Sequence, residues 1–201
     1  MNRVLAIAML AAAVADPARA QSRPGDLIAC PPGTERGRTE RGSGSDEWCA
    51  RPGTDPRLLD GPFVSRHADG AILTRGDYRE GKPSGTWKSW HVNGTPSGEA
   101  TFVDGKPTGM VLGWYPSGQA SVVGGFRDGT PTGSLEMFDP AGRMRSVVYF
   151  GPDGTERSRR AWDDANHEID PRSPQARDAE QRALASSELL DMALTAAGVA
   201  R

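Results

Sequence analysis

Residues Tyr78–Gly94 read YREGKPSGTWKSWHVNG, and the same length of chain returns as FVDGKPTGMVLGWYPSG at Phe102–Gly118 and FRDGTPTGSLEMFDPAG at Phe126–Gly142. Glycines recur at 61, 85, 109 and 133, at 70, 94, 118 and 142, and at 81, 105 and 129. Aromatics recur at Tyr78, Phe102, Phe126 and Phe150. Every column keeps a spacing of 24, so residues 61–156 form an array of four copies of one supersecondary unit.

Each unit carries two turn signals. Asn93-Gly94 and Asp69-Gly70 are residue pairs that a type I′ hairpin turn demands, with Ser117-Gly118 and Ala141-Gly142 as weaker versions. The second signal is Glu80-Gly81, Asp104-Gly105 and Asp128-Gly129, each followed by a proline two residues on. Two turns per unit leave two strands of about six residues. The expected fold is all-β, a single-layer meander or solenoid of antiparallel hairpins. Period-2 alternation puts the small column Gly76, Ala100, Gly124 and Val148 on one face with the aromatic column. In the other strand Phe63, Trp87, Val111 and Leu135 form a column, and Trp90, Trp114 and Phe138 follow three residues later at opposite parity. Either a bulge restores one face, or these aromatics point outwards. If outwards, Trp90, Trp114, Tyr115 and Phe138 make an aromatic stripe and the candidate binding surface.

The pattern aromatic-x-acid-Gly-Lys-x-x-Gly-x-Trp-x-x-aromatic-x-x-Asn-Gly, complete at Tyr78–Gly94, resembles the bacterial variant of the MORN repeat. The last unit departs from it at Thr130, Leu135 and Ala141. The resemblance implies an elongated single-layer sheet and a scaffolding role towards proteins or membranes, without catalysis by the repeats. Some family members carry an antitoxin label, a cytoplasmic role that the N-terminus of this chain contradicts.

That N-terminus has Arg3, an apolar stretch from Val4 to Ala15, and Ala18-Arg19-Ala20 as an A-x-A cleavage signal. Residues 1–20 therefore read as a secretory signal peptide, and the mature chain as periplasmic or extracellular. Its removal leaves a net charge of -3, with no basic field for nucleic acid. Leu27-Ile28-Ala29-Cys30 lacks the apolar run that a lipobox needs in front of it, which argues against a lipid anchor at Cys30. Export brings Cys30 and Cys49 into an oxidising compartment, where a bridge would staple a polar cap over residues 21–60. Such a bridge closes a loop worth roughly 3 kcal/mol. Trp48 and Trp162 are read as covering the first and last sheet edges.

Residues 157–172 read as a linker. Ser173-Pro174 opens a helix expected to run to residue 197, with Ala179, Ala183, Leu190 and Leu194 on one face and Gly198 as its stop. The helix either packs on the sheet or docks a partner. Its mixed-charge polar face disfavours a membrane surface.

No catalytic motif, cofactor motif or metal-ligand spacing is present. His67 and His91 share a repeat column, and two strands between them are too wide for one zinc ion. The reading is an exported, non-catalytic module that binds another protein or acts as a scaffold in the cell envelope. A purely structural protein and a lipid- or glycan-binding accessory are the alternatives.

Overall fold

A computed structural model describes residues 28–54 and 58–198; the expected signal peptide lies outside them. Thirteen strands form one open sheet. They are β1 (Glu35–Arg41), β2 (Gly44–Ala50), β3 (Leu59–His67), β4 (Ile72–Arg79), β5 (Lys82–Trp90), β6 (Pro96–Val103) and β7 (Lys106–Pro107). The rest are β8 (Gly109–Trp114), β9 (Ala120–Arg127), β10 (Thr130–Phe138), β11 (Met144–Phe150), β12 (Glu156–Trp162) and β13 (Glu168–Ile169). Spatial order follows chain order, all antiparallel, with the short β7 paired to β6 beside β8. The array is the expected meander. Two helices follow, α1 (Pro174–Leu184) and α2 (Glu188–Ala196).

The sheet runs past the expected repeat at both ends. β1 and β2 form a further hairpin within the cap, and β12 and β13 occupy what reads as linker. The signal was present: Gly37 falls in the glycine column of Gly61, and Trp162 in the column of Phe138. Asp163–His167 repeats the turn of Asp139–Arg143, with Asn166 at φ 64 where the earlier units place glycine. The two tryptophans expected to cover the edges lie one strand in, on β2 and β12. β1 and the two-residue β13 are the edges themselves. β1 reads ERGRTER, and charges on an exposed edge discourage pairing with another sheet.

The cap is joined by the Cys30–Cys49 disulfide, with Cα atoms 5.5 Å apart. A disulfide agrees with an oxidising, exported setting. Among the described residues no helix is long and apolar enough to cross a membrane.

The two turn signals exchange roles. Glu80-Gly81, Asp104-Gly105 and Asp128-Gly129 have positive φ at both positions and close two-residue hairpins, the I′ geometry. Asn93 is not among the residues of positive φ, although Gly94 is, at 94°. His91 N–H reaches Thr95 O and Gly94 N–H reaches His91 O, so the Asn-Gly site is a longer turn with a single left-handed residue. A register shift accompanies it at Ser89/Trp90, and recurs at Ser65/Arg66, Gly113/Trp114 and Met137/Phe138. The extra residue lies on the following strand, at 73, 97, 121 and 145.

One face of the sheet holds the core. Phe63 faces Gly76, Trp87 faces Ala100, Val111 faces Gly124 and Leu135 faces Val148 across strand pairs. The small partner is a steric need, because a Cβ on Gly76 would sit 2.1 Å from the Trp87 indole. Phe63 stacks on Trp87 at 5.7 Å and Tyr78 meets it edge-on at 5.0 Å. The helices cover this face, α2 over β5–β8 and α1 over β9–β11.

The single helix expected at 173–197 is divided in two by Ala185–Ser187. Ser173 caps α1 as the sequence suggests, accepting from Ala176 N–H. Ser187 caps α2, accepting from Leu189 N–H, while its hydroxyl also meets that of Ser89 at 2.9 Å. Ser186 meets Ser121 at 2.6 Å. The chain breaks there because two serines exchange helical geometry for hydroxyl contacts with the sheet. Leu189, Leu190, Ala193 and Leu194 are buried against it, so the helices pack rather than stand free.

Candidate functional site

The four aromatics of the candidate stripe are not brought together as an open surface. Strand alternation puts Trp90 on the face opposite Trp87, outside the helix-covered core cluster. It is nonetheless only 3% exposed, and the Arg75 guanidinium lies 5.5 Å above its ring. Tyr115 is 9% exposed and donates its hydroxyl to Phe138 O at 2.7 Å. Trp114 and Phe138 are half-buried.

The backbone of this column has a structural task. His67 Nε2–H donates to Trp90 O at 3.0 Å and His91 Nε2–H to Trp114 O at 2.8 Å, the same bond that Tyr115 makes one unit later. At the other ends of the hairpins, Gly81, Gly105 and Gly129 donate backbone N–H to Leu59, Pro83 and Pro107. Each unit is thus tied to its neighbour at both turns. Burial, followed by the Asp139 charge, raises the Tyr115 phenol above its ordinary range, so it stays a donor.

In the next unit Asp139 takes over the column. It accepts from Ala141 and Arg143 N–H through Oδ1 and from the Arg143 and Arg145 guanidinium groups through Oδ2. Burial works to raise its pKa, but the Arg143 N–H and the Arg145 and Arg143 charges outweigh it and hold the carboxyl below the ordinary range.

A cleft of about 1500 Å³ lies between the two helices and β10–β12. Phe150 and Leu184, both half-buried, give its floor an apolar surface, while Leu135, Met137, Val148 and Leu194 line it as core residues no more than 4% exposed. Its lining also carries Arg157, Arg172 and Arg177 together with Glu188 and Asp191 of α2. One wall is held shut by Arg159, which pairs with Glu180 of α1 at 2.7 Å and Glu156 of β12 at 2.9 Å. The bond to Glu156 is the main reason its guanidinium titrates even higher than usual, with the Glu180 charge adding to it. Ser146 also donates to Glu180.

Sequence reasoning missed this cleft because it depends on how closely the helices approach. Gly98 and Gly113 are cross-strand partners, and a Cβ on them would lie 2.5 Å from Ser187 Oγ and 2.4 Å from Leu190 Cδ1. They seat the start of α2. Neither belongs to the 24-residue glycine columns, and Thr74 and Val122 occupy the column of Gly98 in the neighbouring units. That irregularity was the available signal.

No protein-family model matches the chain, and no curated protein matches it. Among solved structures, the crystal structure of the GtfA/B complex bound to UDP and GlcNAc is similar to it at 10% identity and a TM-score of 0.21. The similarity covers 61% of this chain and 25% of that one, and is too weak to carry an argument.

Proposed function

We propose that this chain is an exported, non-catalytic module of the MORN-repeat type, which holds a segment of another protein in the cell envelope. The observation that carries the reading is the cleft beside α1 and α2. Small-molecule sites enclose roughly 300–1,000 Å³, and this one is larger and open. An apolar floor with a rim of both charge signs suits a polypeptide that offers apolar anchors between charged residues. Export rests on the leader-like residues 1–20 together with the disulfide, and the family assignment on the repeat pattern at Tyr78–Gly94.

The test is a pull-down from the native envelope fraction with residues 21–201. Wild type is compared with Leu184→Glu, which charges the cleft floor, and with Val103→Glu on the exposed opposite face. A protein captured by wild type and Val103→Glu and lost from folded Leu184→Glu is the expected result. Equal capture by all three, or capture of nothing, would overturn the proposal.

A further inference from the structure

β1 is an edge of the sheet over its whole length, Glu35–Arg41, and reads ERGRTER. The direction of its backbone groups follows from the neighbouring strands. His67 donates its N–H to Ala71 O and accepts from Gly70 N–H, so its polar groups face β4. Alternation along β3 then turns Arg66 and Val64 towards β2, where they oppose Ser45 and Glu47. On β2 this leaves Gly44, Asp46 and Trp48 turned towards β1, opposite Arg41, Thr39 and Gly37. The N–H and C=O groups of Arg36, Arg38 and Glu40 therefore point away from the sheet. Among the described residues none of them has a hydrogen-bond partner.

Charges on such an edge discourage chance pairing, since most strands would set like charges or apolar groups against them. Against a second copy of itself, antiparallel and centred on Arg38, the strand does the reverse. Glu35 then opposes Arg41, Arg36 opposes Glu40 and Gly37 opposes Thr39, each twice, and only Arg38 meets its like. Each Arg38 guanidinium already holds Glu40 at 2.6 Å and Glu47 at 3.1 Å in its own chain, which compensates that one like pair. Every residue of the strand is exposed except the half-buried Gly37, so the opposing charges are within reach. The centre also fits the backbone, because Arg36, Arg38 and Glu40 carry the outward groups that a ladder would join. Recentring on Gly37 opposes Arg36 to Arg38. Recentring on Thr39 halves the opposite-charge contacts and leaves Glu35 and Arg36 outside the pairing.

We propose that two copies of this chain join through their β1 edges, antiparallel and centred on Arg38, into one continuous sheet. The pairing is isologous, with a twofold axis perpendicular to the sheet, so the helices of both copies lie on the same side. Hydrogen-bonded pairs at Arg36–Glu40 and Arg38–Arg38 take up every outward backbone group of the edge. The contact engages seven residues per copy, fewer than the roughly 20–30 a side of a standard interface, so the dimer is weak and sensitive to salt. This interface is independent of the protein-binding reading of the cleft.

The test is sedimentation of residues 21–201 over a range of concentrations, with wild type beside Glu40→Arg and beside the exchange of Arg36→Glu with Glu40→Arg. Wild type is expected to pass from monomer to dimer as concentration rises, with a Kd that increases with salt. Glu40→Arg sets arginine against Arg36 twice, and is expected to raise Kd about 10-fold or more. The exchanged pair restores opposite charges in the same register, and is expected to bring Kd back to within about threefold of wild type. A wild type that is still monomeric at about 1 mM would overturn the proposal. So would a dimer that Glu40→Arg leaves intact, which marks another surface, or one that the exchange does not restore. Wild type alone decides the matter even where a variant fails to fold. Raising its concentration is expected to slow hydrogen exchange at the Arg36, Arg38 and Glu40 amides, with little change at Gly37 and Thr39, which already face β2. Equal rates at all concentrations would overturn the interface.

Discussion

Gly98 and Gly113 face each other across β6 and β8, and the start of α2 rests on the space that their missing side chains leave. Substituting either by valine should cost about 1–3 kcal/mol through overpacking, read by thermal unfolding, with α2 amides losing protection from hydrogen exchange. Gly42→Ala, where an added Cβ meets nothing within 4 Å, should change stability by less than about 0.5 kcal/mol. Asp139 makes a pH prediction. Its folded pKa is depressed, so it contributes stability that is present above the unfolded value of about 3.9 and is lost as pH falls through the lower folded value. Asp139→Asn should therefore lower stability at pH 7 and flatten its fall below about pH 4, measured by denaturant unfolding across that range. At this scale the sequence is legible where a residue's role comes from the repeat, as with Gly76 beneath Trp87. Asn93 departs from the expected type I′ geometry, because Asn-Gly satisfies any turn that ends in a left-handed residue.

Hairpins and helices differ in what holds them. The β1–β2 hairpin sits at a sheet end with few apolar side chains, and the Cys30–Cys49 bridge compensates for that. Cys30→Ser with Cys49→Ser should cost roughly 3 kcal/mol in chain-entropy terms, with the earliest hydrogen exchange in β1 and β2. Ser187→Ala should cost about 1 kcal/mol for the lost cap of α2, in addition to leaving the Ser89–Ser97 hydroxyl pair without its third member. The strands were legible because a 24-residue period samples the same turn chemistry again and again. The helix break was not. Ala185–Ser187 is compatible with a helix on propensity alone, and only the hydroxyls waiting on β5 and β9 decide otherwise. The outer strands of the array were hidden for a related reason, since the end units keep the column positions but exchange their residue types, as Asn166 does for glycine.

Over the whole molecule, the charged first strand and the two-residue last strand end the sheet, while the helices close one face over β5–β11. Between the helices and β10–β12 runs the cleft, lined by apolar residues and by charges of both signs. It could not be read from the sequence, because it is made by residues more than a repeat apart. The candidate stripe illustrates the converse: Trp90 and Tyr115 belong to it by sequence, yet a guanidinium covers the first and a cross-unit bond holds the second. The most direct test of the account places a photo-crosslinking residue at Gln181 in the cleft, and separately at the exposed Met110, in protein exposed to its own envelope fraction. The account predicts one discrete protein adduct from position 181, abolished by Leu184→Glu, and none from position 110. An adduct from position 110 alone, or one from 181 that survives Leu184→Glu, would contradict it.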